Sequence, residues 1–315
     1  MPDSHPTDVC VFAPIVQLTV TIEQLDEPSD GVADDIHVHP GGQGLWIARM
    51  LQQLGNRPVL CGPVGGEIGT VLRSLMPEWG IDFAAVEVSA ESPAYIHDRR
   101  GGDRQLVAEV PPATLDRHAV DDLYGKVLEL ALASRALVMT AAPSLPSDMY
   151  ERLGSDLAAA GVRVFGDLHG EELTAFLTGG PIELLKVSHE DLADDGWEVG
   201  DESSAVDAIA RLREMGAGSV VMSRADQPAL AGFPDGVFAA TPPELEVVEH
   251  RGAGDSMTAG LVSAALSGRD AEGCIRLGSA AGAANVTRHG LGSGSPDLVA
   301  ELARKVDVRR IEAAP

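Results

Sequence analysis

From residue 115 onward the chain alternates short apolar runs with helix-length stretches, and this alternation restricts the fold more than any other feature. The runs cover 136–140, 162–165, 184–187 and 219–223; the helical stretches cover 116–134, 147–160, 203–215 and 256–267. A strand that is apolar throughout must be covered on both faces, and a helix crossing over between two such strands supplies the cover. The pattern predicts an α/β fold: a doubly wound, mainly parallel sheet flanked by helices.

The first third reads differently. It is strand-rich, with one clear helix over 45–54 closed by Gly55. Buried strands are expected at 9–16 and 58–61. Residues 18–22 and 36–39 alternate as half-exposed strands do, the second stopping at Pro40-Gly41-Gly42. Residues 95–98 and 105–110 flank Arg99-Arg100-Gly101-Gly102, a hairpin turn. These pieces predict a small β-sheet lid, drawn from roughly 17–40 and 90–112 and inserted into a single domain spanning 1–315.

Charge narrows the partners. With 23 Lys and Arg against 48 Asp and Glu, the 315-residue chain carries a formal net charge of −25. Such a surface repels phosphate backbones and anionic lipid, which argues against nucleic acid and membrane. A site for an anionic ligand must therefore be made locally attractive by helix N-termini, a metal ion or a few placed cations. Cys10, Cys61 and Cys274 are dispersed, so neither a disulfide framework nor a zinc knuckle is expected. The opening Met-Pro-Asp-Ser-His-Pro lacks the features of a secretion signal. The greasiest stretch, 128–139, is interrupted by Glu129, Ser134 and Arg135. The expectation is a cytoplasmic protein.

The strongest local signal is Arg251-Gly252-Ala253-Gly254-Asp255-Ser256, which follows a strand-like 245–248 and opens a helix. Glycines at a helix start let backbone amides converge on an anion, and the helix dipole adds positive potential there. A carboxylate beside such a nest repels a bound phosphoryl group unless it is there to take a proton. Asp255 next to 252–254 therefore suits phosphoryl transfer to an alcohol. Asp is also a favoured N-cap, so a purely structural cap stays open. A dinucleotide fingerprint is disfavoured, because the third glycine is replaced by Met257 here and by Ile47 after Gly42-Gln43-Gly44.

Gly41-Gly42-x-Gly44, Gly65-Gly66-x-x-Gly69, Gly252-Ala253-Gly254-Asp255-Ser256 and the segment 281–290, in this order, resemble the motifs of the ribokinase/PfkB carbohydrate kinase family. The resemblance is nearest the sugar-phosphate kinase branch. It implies transfer of the ATP γ-phosphoryl group, with Mg²⁺, to a sugar or sugar-phosphate hydroxyl. Asp255 would be the base, and the amides of Ala253, Gly254 and Asp255 an anion hole behind Gly252. The adenine pocket would lie between the 223–229 loop and the helix carrying Asn285. Gly41, Gly42, Gln17, Gln43, Tyr95 and Arg99 would meet the acceptor, and the lid would often pair two copies into a homodimer.

Departures from the family pattern touch both ligands. Gln17 stands where an Asp or Asn holds sugar hydroxyls, and Gln43-Gly44-Leu45-Trp46 stands for Lys-Gly-x-Asn. Ala94 replaces a lid Arg, for which Arg99 and Arg100 are substitutes. Ser188-x-x-Asp191 replaces Asn-x-x-Glu and can order waters around Mg²⁺. Lys186 and Arg224 are candidates for ATP phosphates, with Ser223 and Asp226 shaping a loop in which Ala225 and Pro228 replace glycines. His37 and His39 alternate on a lid strand, and His169, His250 and Arg251 flank the motifs. Two alternatives stay open: a nucleoside kinase, and a non-catalytic or altered-substrate sugar or nucleotide binder on the same fold.

Overall fold

The structure, a computed structural model, describes residues 8–29, 32–288 and 290–311. The opening hexapeptide and His289 fall outside the described residues. Among the described residues the large sheet has ten strands: β1 (Val9–Phe12), β4 (Pro58–Val64), β5 (Asp82–Glu87), β8 (Ala136–Thr140), β9 (Val164–Asp167), β10 (Ile182–Ser188), β11 (Ala217–Arg224), β12 (Gln227–Phe233), β13 (Gly236–Thr241) and β14 (Asp307–Ile311). Their order is β14-β13-β12-β11-β10-β9-β8-β1-β4-β5. Pairing is parallel from β5 to β11 and antiparallel from β11 to β14.

Strand β1 shows why the parallel part needs two layers of helices. Its four residues are all buried, with Val9 and Val11 in one apolar cluster and Cys10 and Phe12 in the other. That is the period of two expected of a strand covered on both faces. One cluster is completed by α1 (Gln43–Gln53), α8 (Ala253–Leu266), α9 (Ala271–Val286) and α10 (Pro296–Lys305). The other is completed by α3 (Arg117–Ala133), α4 (Ser147–Ala159), α5 (Gly170–Gly179) and α7 (Glu202–Glu214). Short helices α2 (Gly66–Leu75) and α6 (His189–Asp194) follow β4 and β10. No helix among the described residues is long and apolar enough to cross a membrane.

After β1 the chain moves to one side, to β4, and later returns on the other, to β8. The point beside β1 where winding reverses leaves a crevice at the carboxyl ends of the strands. Over it lies a four-stranded sheet, β3-β2-β6-β7, of β2 (Gln17–Ser29), β3 (Val32–Gly41), β6 (Ala94–Asp98) and β7 (Gln105–Val110). Register places Thr19, Thr21, His37, His39, Tyr95 and His97 on one face. Val20, Ile22, Ile36, Val38 and Ile96 lie on the other. The polar face is the one turned to the crevice, which His39 and Thr19 line.

Several expectations change. The strand expected at 9–16 ends at Phe12: the Ala13 amide bonds Cys61 O at 2.8 Å, and Pro14 has no N–H to continue the ladder. Residues 245–248 form no strand; the amides of Val248 and Glu249 both bond Val286 O, at the end of α9. The first third holds two helices, because Gly66 at φ +68° opens α2. The run read as 162–165 is displaced to Val164–Asp167, which brings Asp167 into the strand. Helix α8 starts at Ala253, so Asp255 falls in its first turn.

Candidate active site

The N-cap of α8 is Gly252, at φ 73°, and no side chain caps the helix. Asp255 is therefore not the cap. The first turn of a helix has amides without intrahelical acceptors, and the glycine cap offers no side chain to those of 253–255; Gly252 and Asp255 line the cleft in front of the helix, Ala253 and Gly254 do not. Gly252 is held by Asn285, which is fully buried. Its Nδ2 donates to Arg251 O at 2.6 Å and its Oδ1 accepts from the Gly292 amide at 2.8 Å.

Behind this turn lies a buried charge network. Strands β9 and β10 pair Asp167 with Lys186 in register. Lys186 Nζ donates to Asp167 Oδ1 at 3.3 Å, and Thr258 Oγ1 to Asp167 Oδ2 at 2.6 Å. A Cβ on Gly254 would stand 2.7 Å from Lys186 Nζ, so this glycine is what admits the ammonium against the first turn of α8. Burial pushes the Asp255 carboxyl up, Asp167 adds to the rise and Lys186 offsets part of it, leaving it at about 7. For Lys186 burial acts downward, but Asp167, Asp255 and Asp191 outweigh it, and the ammonium is held above its ordinary range.

In front of α8 opens a cleft of about 300 Å³. Its walls bring together Gln17, Gly42, Gln43, Gly252 and Asp255, five of the residues expected from sequence. Gly42, at φ 120°, is required twice over, because a Cβ there would also stand 2.4 Å from Ile15 O. Gly41 packs beside Thr19 and Gln17, where a Cβ would meet Thr19 Oγ1 at 2.9 Å. Trp46 and His39 form an aromatic side of the cleft, with Trp79 stacked on His39 at 5.9 Å between centroids. Thr140 and Ala141, at the end of β8, close the floor. Arg104 and Arg251 also line the cleft, with Ile15, Thr19 and Leu291.

Other expected residues lie apart from this cleft. Tyr95 stacks on His97 at 6.0 Å, on the lid. Arg99 pairs with Glu249 at 3.4 Å and Glu23 at 3.9 Å; Arg100 is tied to Asp98 and Asp34. Ser188 Oγ donates to Asp191 Oδ2 at 2.6 Å and accepts the Asp191 amide, capping α6. Ser223 Oγ contacts Val187 O at 3.4 Å, Arg224 is buried at the end of β11, and Asp226 is exposed in the following turn. Ala225 takes φ 50°, the left-handed conformation for which glycine is suited. His37 pairs with Asp35 and Glu23, and His169 with Asp195. Among the described residues no group of three or more metal-ligating side chains forms. The Asp167 side chain within the network and Arg104 in the cleft were not singled out from sequence.

A doubly wound sheet, a β lid over its crevice and an open helix N-terminus beside a carboxylate define a small-molecule kinase architecture. The family model described as "pfkB family carbohydrate kinase" matches residues 7–298, and the chain belongs to that family. It is 27% identical over 279 residues to a 1-phosphofructokinase of Bacillus subtilis, covering 87% of this chain and 89% of the relative. It is 29% identical over 258 residues to ATP-dependent 6-phosphofructokinase isozyme 2 of Escherichia coli, covering 80% and 82%. The crystal structure of phosphofructokinase-2 from Escherichia coli in complex with fructose-6-phosphate superposes with a TM-score of 0.81 at 25% identity, covering 95% of this chain and 99% of that one.

Proposed function

We propose that the protein transfers the γ-phosphoryl group of ATP to a hydroxyl of a sugar phosphate. Asp255 is the general base, and the amides of 253–255, behind Gly252, are the anion hole. The observation that carries this reading is the position of Asp255: on the cleft wall, in the first turn of an uncapped helix, with a carboxyl raised to about 7. A base titrating near neutrality is matched to deprotonating an alcohol as it attacks. Charge that develops on the transferring group meets fixed amides and the α8 dipole, which need no reorganisation. Lys186, charged and wedged against Gly254, adds a cation on the donor side of that turn.

The acceptor enters under the lid, with Gln17 and Gln43 offering amide groups to its hydroxyls and Gly41 and Gly42 giving it close approach. Tyr95 and Arg99 lie outside the cleft and serve it by shaping the lid, through the stacking on His97 and the pairing with Glu249. The nucleotide lies along the ends of β10 and β11, near Ser188, Ser223, Arg224 and Asp226, with Asn285 fixing the adjoining turn. Mg²⁺ suits the oxygen donor Asp191, acting through ordered water, because this ion takes few protein carboxylates and keeps waters and phosphates as its other ligands. When bound it supplies charge neutralisation on the phosphates. The lid's apolar outer face supports pairing of two copies. Three buried free thiols and the use of ATP fit a reducing cytoplasm.

The experiment is phosphoryl transfer by the purified chain across sugars, sugar phosphates and nucleosides, beside Asp255→Asn. The variant should keep the fold and lose about 10²–10⁴-fold in turnover. Turnover equal to wild type would remove Asp255 from the mechanism, and binding without ATP consumption would favour a non-catalytic binder.

A further inference from the structure

We propose that Trp46 is a stacking platform that selects the ring form of the acceptor sugar, with a C–H face of the ring lying against the indole. The inference rests on the kinase reading above and adds which form of the sugar the cleft admits. Trp46 stands where the family pattern has Asn, so the platform belongs to this chain.

Phenylalanine, tyrosine and tryptophan make up only 4% of the sequence, and tryptophan occurs three times. Two of the three meet at one wall of the cleft. Trp46 sits in the first turn of α1 and Trp79 ends the 3-10 turn Met76–Trp79; their centroids are 5.9 Å apart, with the rings at 48°. His39, near the end of β3, completes the cluster at 6.0 Å from Trp46 and 5.9 Å from Trp79. A cluster that served packing alone would be enclosed. Here Trp46 and His39 both line the cleft that holds Asp255.

The wall is braced from behind. The Arg49 guanidinium lies 4.4 Å over the Trp79 ring and donates from Nη1 to Leu291 O at 2.9 Å. Gly292, at φ +60°, packs on the Trp46 backbone, where a Cβ would stand 2.6 Å from Trp46 O. Trp46 is only 7% exposed. A ligand that stacks on this indole therefore orders no loose side chain. The wall is also uncharged. Burial holds the His39 imidazole below its ordinary range, against the bond from Nδ1 to Pro40 O, and Arg104 and Arg49 lower it further.

Beside Trp46 the lining is apolar at Ile15 and Leu291, while Gln17, Gln43 and Thr140 supply hydrogen-bonding groups. A ligand matched to such a lining is apolar on one face and hydroxylated around its edge. A sugar closed into a ring has that form. Its face carries C–H bonds polarised by the neighbouring oxygens, and these meet the negative face of an indole. The same sugar as an open chain turns hydroxyls to every side, keeps no flat C–H patch and loses more torsional freedom on binding. At about 300 Å³ the cleft lies at the small end of ligand sites, which suits one ring with its substituents rather than the base and ribose of a nucleoside.

The test compares two acceptors of equal charge. 2,5-Anhydromannitol 1-phosphate is fixed as a five-membered ring, and mannitol 1-phosphate is its open-chain counterpart. Binding to the full chain is read by tryptophan emission without ATP. Wild type should bind the ring probe about 10-fold or more tightly than the open chain, with a change in emission. Trp197→Phe removes the tryptophan that lies outside the cleft, under Arg211, and should keep both the change and the preference. Trp46→Leu should cut the preference to about 2-fold or less. Trp46→Phe should keep most of the preference and lose most of the emission change. If Trp46→Leu does not fold, Trp46→Phe decides, and an emission change as large as in wild type places the ligand away from this indole and overturns the platform. Wild type that binds neither probe or both equally overturns it too, as does a preference unchanged in Trp46→Leu or a tighter fit for uridine than for the ring phosphate. Ring preference without phosphoryl transfer from ATP defeats the kinase reading and leaves the platform. Transfer to both acceptors at equal KM defeats the platform and leaves the kinase.

Discussion

Glu249 holds the Arg99 guanidinium at 3.4 Å while its other oxygen accepts the Arg251 amide at 3.2 Å. One carboxylate thus ties the lid hairpin to the turn that presents the α8 amides. Both side chains are largely shielded, at 19% and 13% exposure, so the pair is worth more than a surface ion pair, on the order of 1 kcal/mol or somewhat above. Glu249→Gln should raise KM for the acceptor about 5-fold or more, with a smaller change in kcat, and speed amide exchange in β6 and β7. Unchanged exchange in those strands would show that Glu249 does not hold the lid.

The pH dependence follows from Asp255. Its carboxyl is raised from 3.8 to about 7, by burial first and then by Asp167. In the proposed role of base it is active when ionised, so kcat/KM should rise with pH through a midpoint near 7, and Asp255→Asn should flatten that limb. Stability runs the opposite way. Between about pH 4 and 7 the folded state keeps a proton that the unfolded chain has released, so this group's contribution to stability falls as pH rises. Asp255→Asn removes that loss and should raise Tm at pH 8 more than at pH 4. Equal shifts at both values would place the carboxyl in an ordinary aqueous setting.

The parallel half of the fold was legible because strands buried on both faces read as unbroken apolar runs; 136–140 coincides with β8. The antiparallel edge β12–β14 left no such trace, since Pro228, Gly232 and Gly236 interrupt β12 and β13, and β14 is mostly charged, with Asp307, Arg309 and Arg310 exposed. The turn of α8 was legible because glycines beside an acidic residue have few other uses. The salt bridge between Asp167 and Lys186 was not, because it depends on the register of β9 against β10 across a separation of 19 residues. Arg104 was hidden for a different reason. A register shift at Ile96/His97 breaks the alternation in the hairpin, so facing cannot be counted from 98 across the turn to 105.

Gly42 offers a test of close approach. At φ 120°, with Ile15 O 2.4 Å from where a Cβ would stand, Gly42→Ala is strained in conformation and in space. The obstacle is backbone, which cannot swing aside. The substitution should cost about 2 kcal/mol or more and lower Tm by several degrees. Because Gly42 lines the cleft, kcat/KM for the acceptor should fall beyond what the lost folded fraction explains. Wild-type Tm in this variant would mean that the loop after β1 is free to shift.

The lid's outer face predicts assembly. Ile36 is 61% exposed, Val38 46% and Val110 38%, and Val20, Ile22 and Ile96 lie on the same side of the sheet. An antiparallel sheet normally turns its apolar side inward; here the inward side is polar where Thr19 and His39 line the cleft. A second copy of the same sheet satisfies the outer one, since an isologous pair brings identical apolar patches together. Wild type should sediment as a dimer at micromolar concentration, and Val38→Asp as a monomer of unchanged helix content. The aspartate lies on the opposite face from the cleft, so any rise in acceptor KM in that variant reports the loss of lid support by the partner. A wild type that is monomeric at that concentration would assign the exposed valines and isoleucine to some other contact.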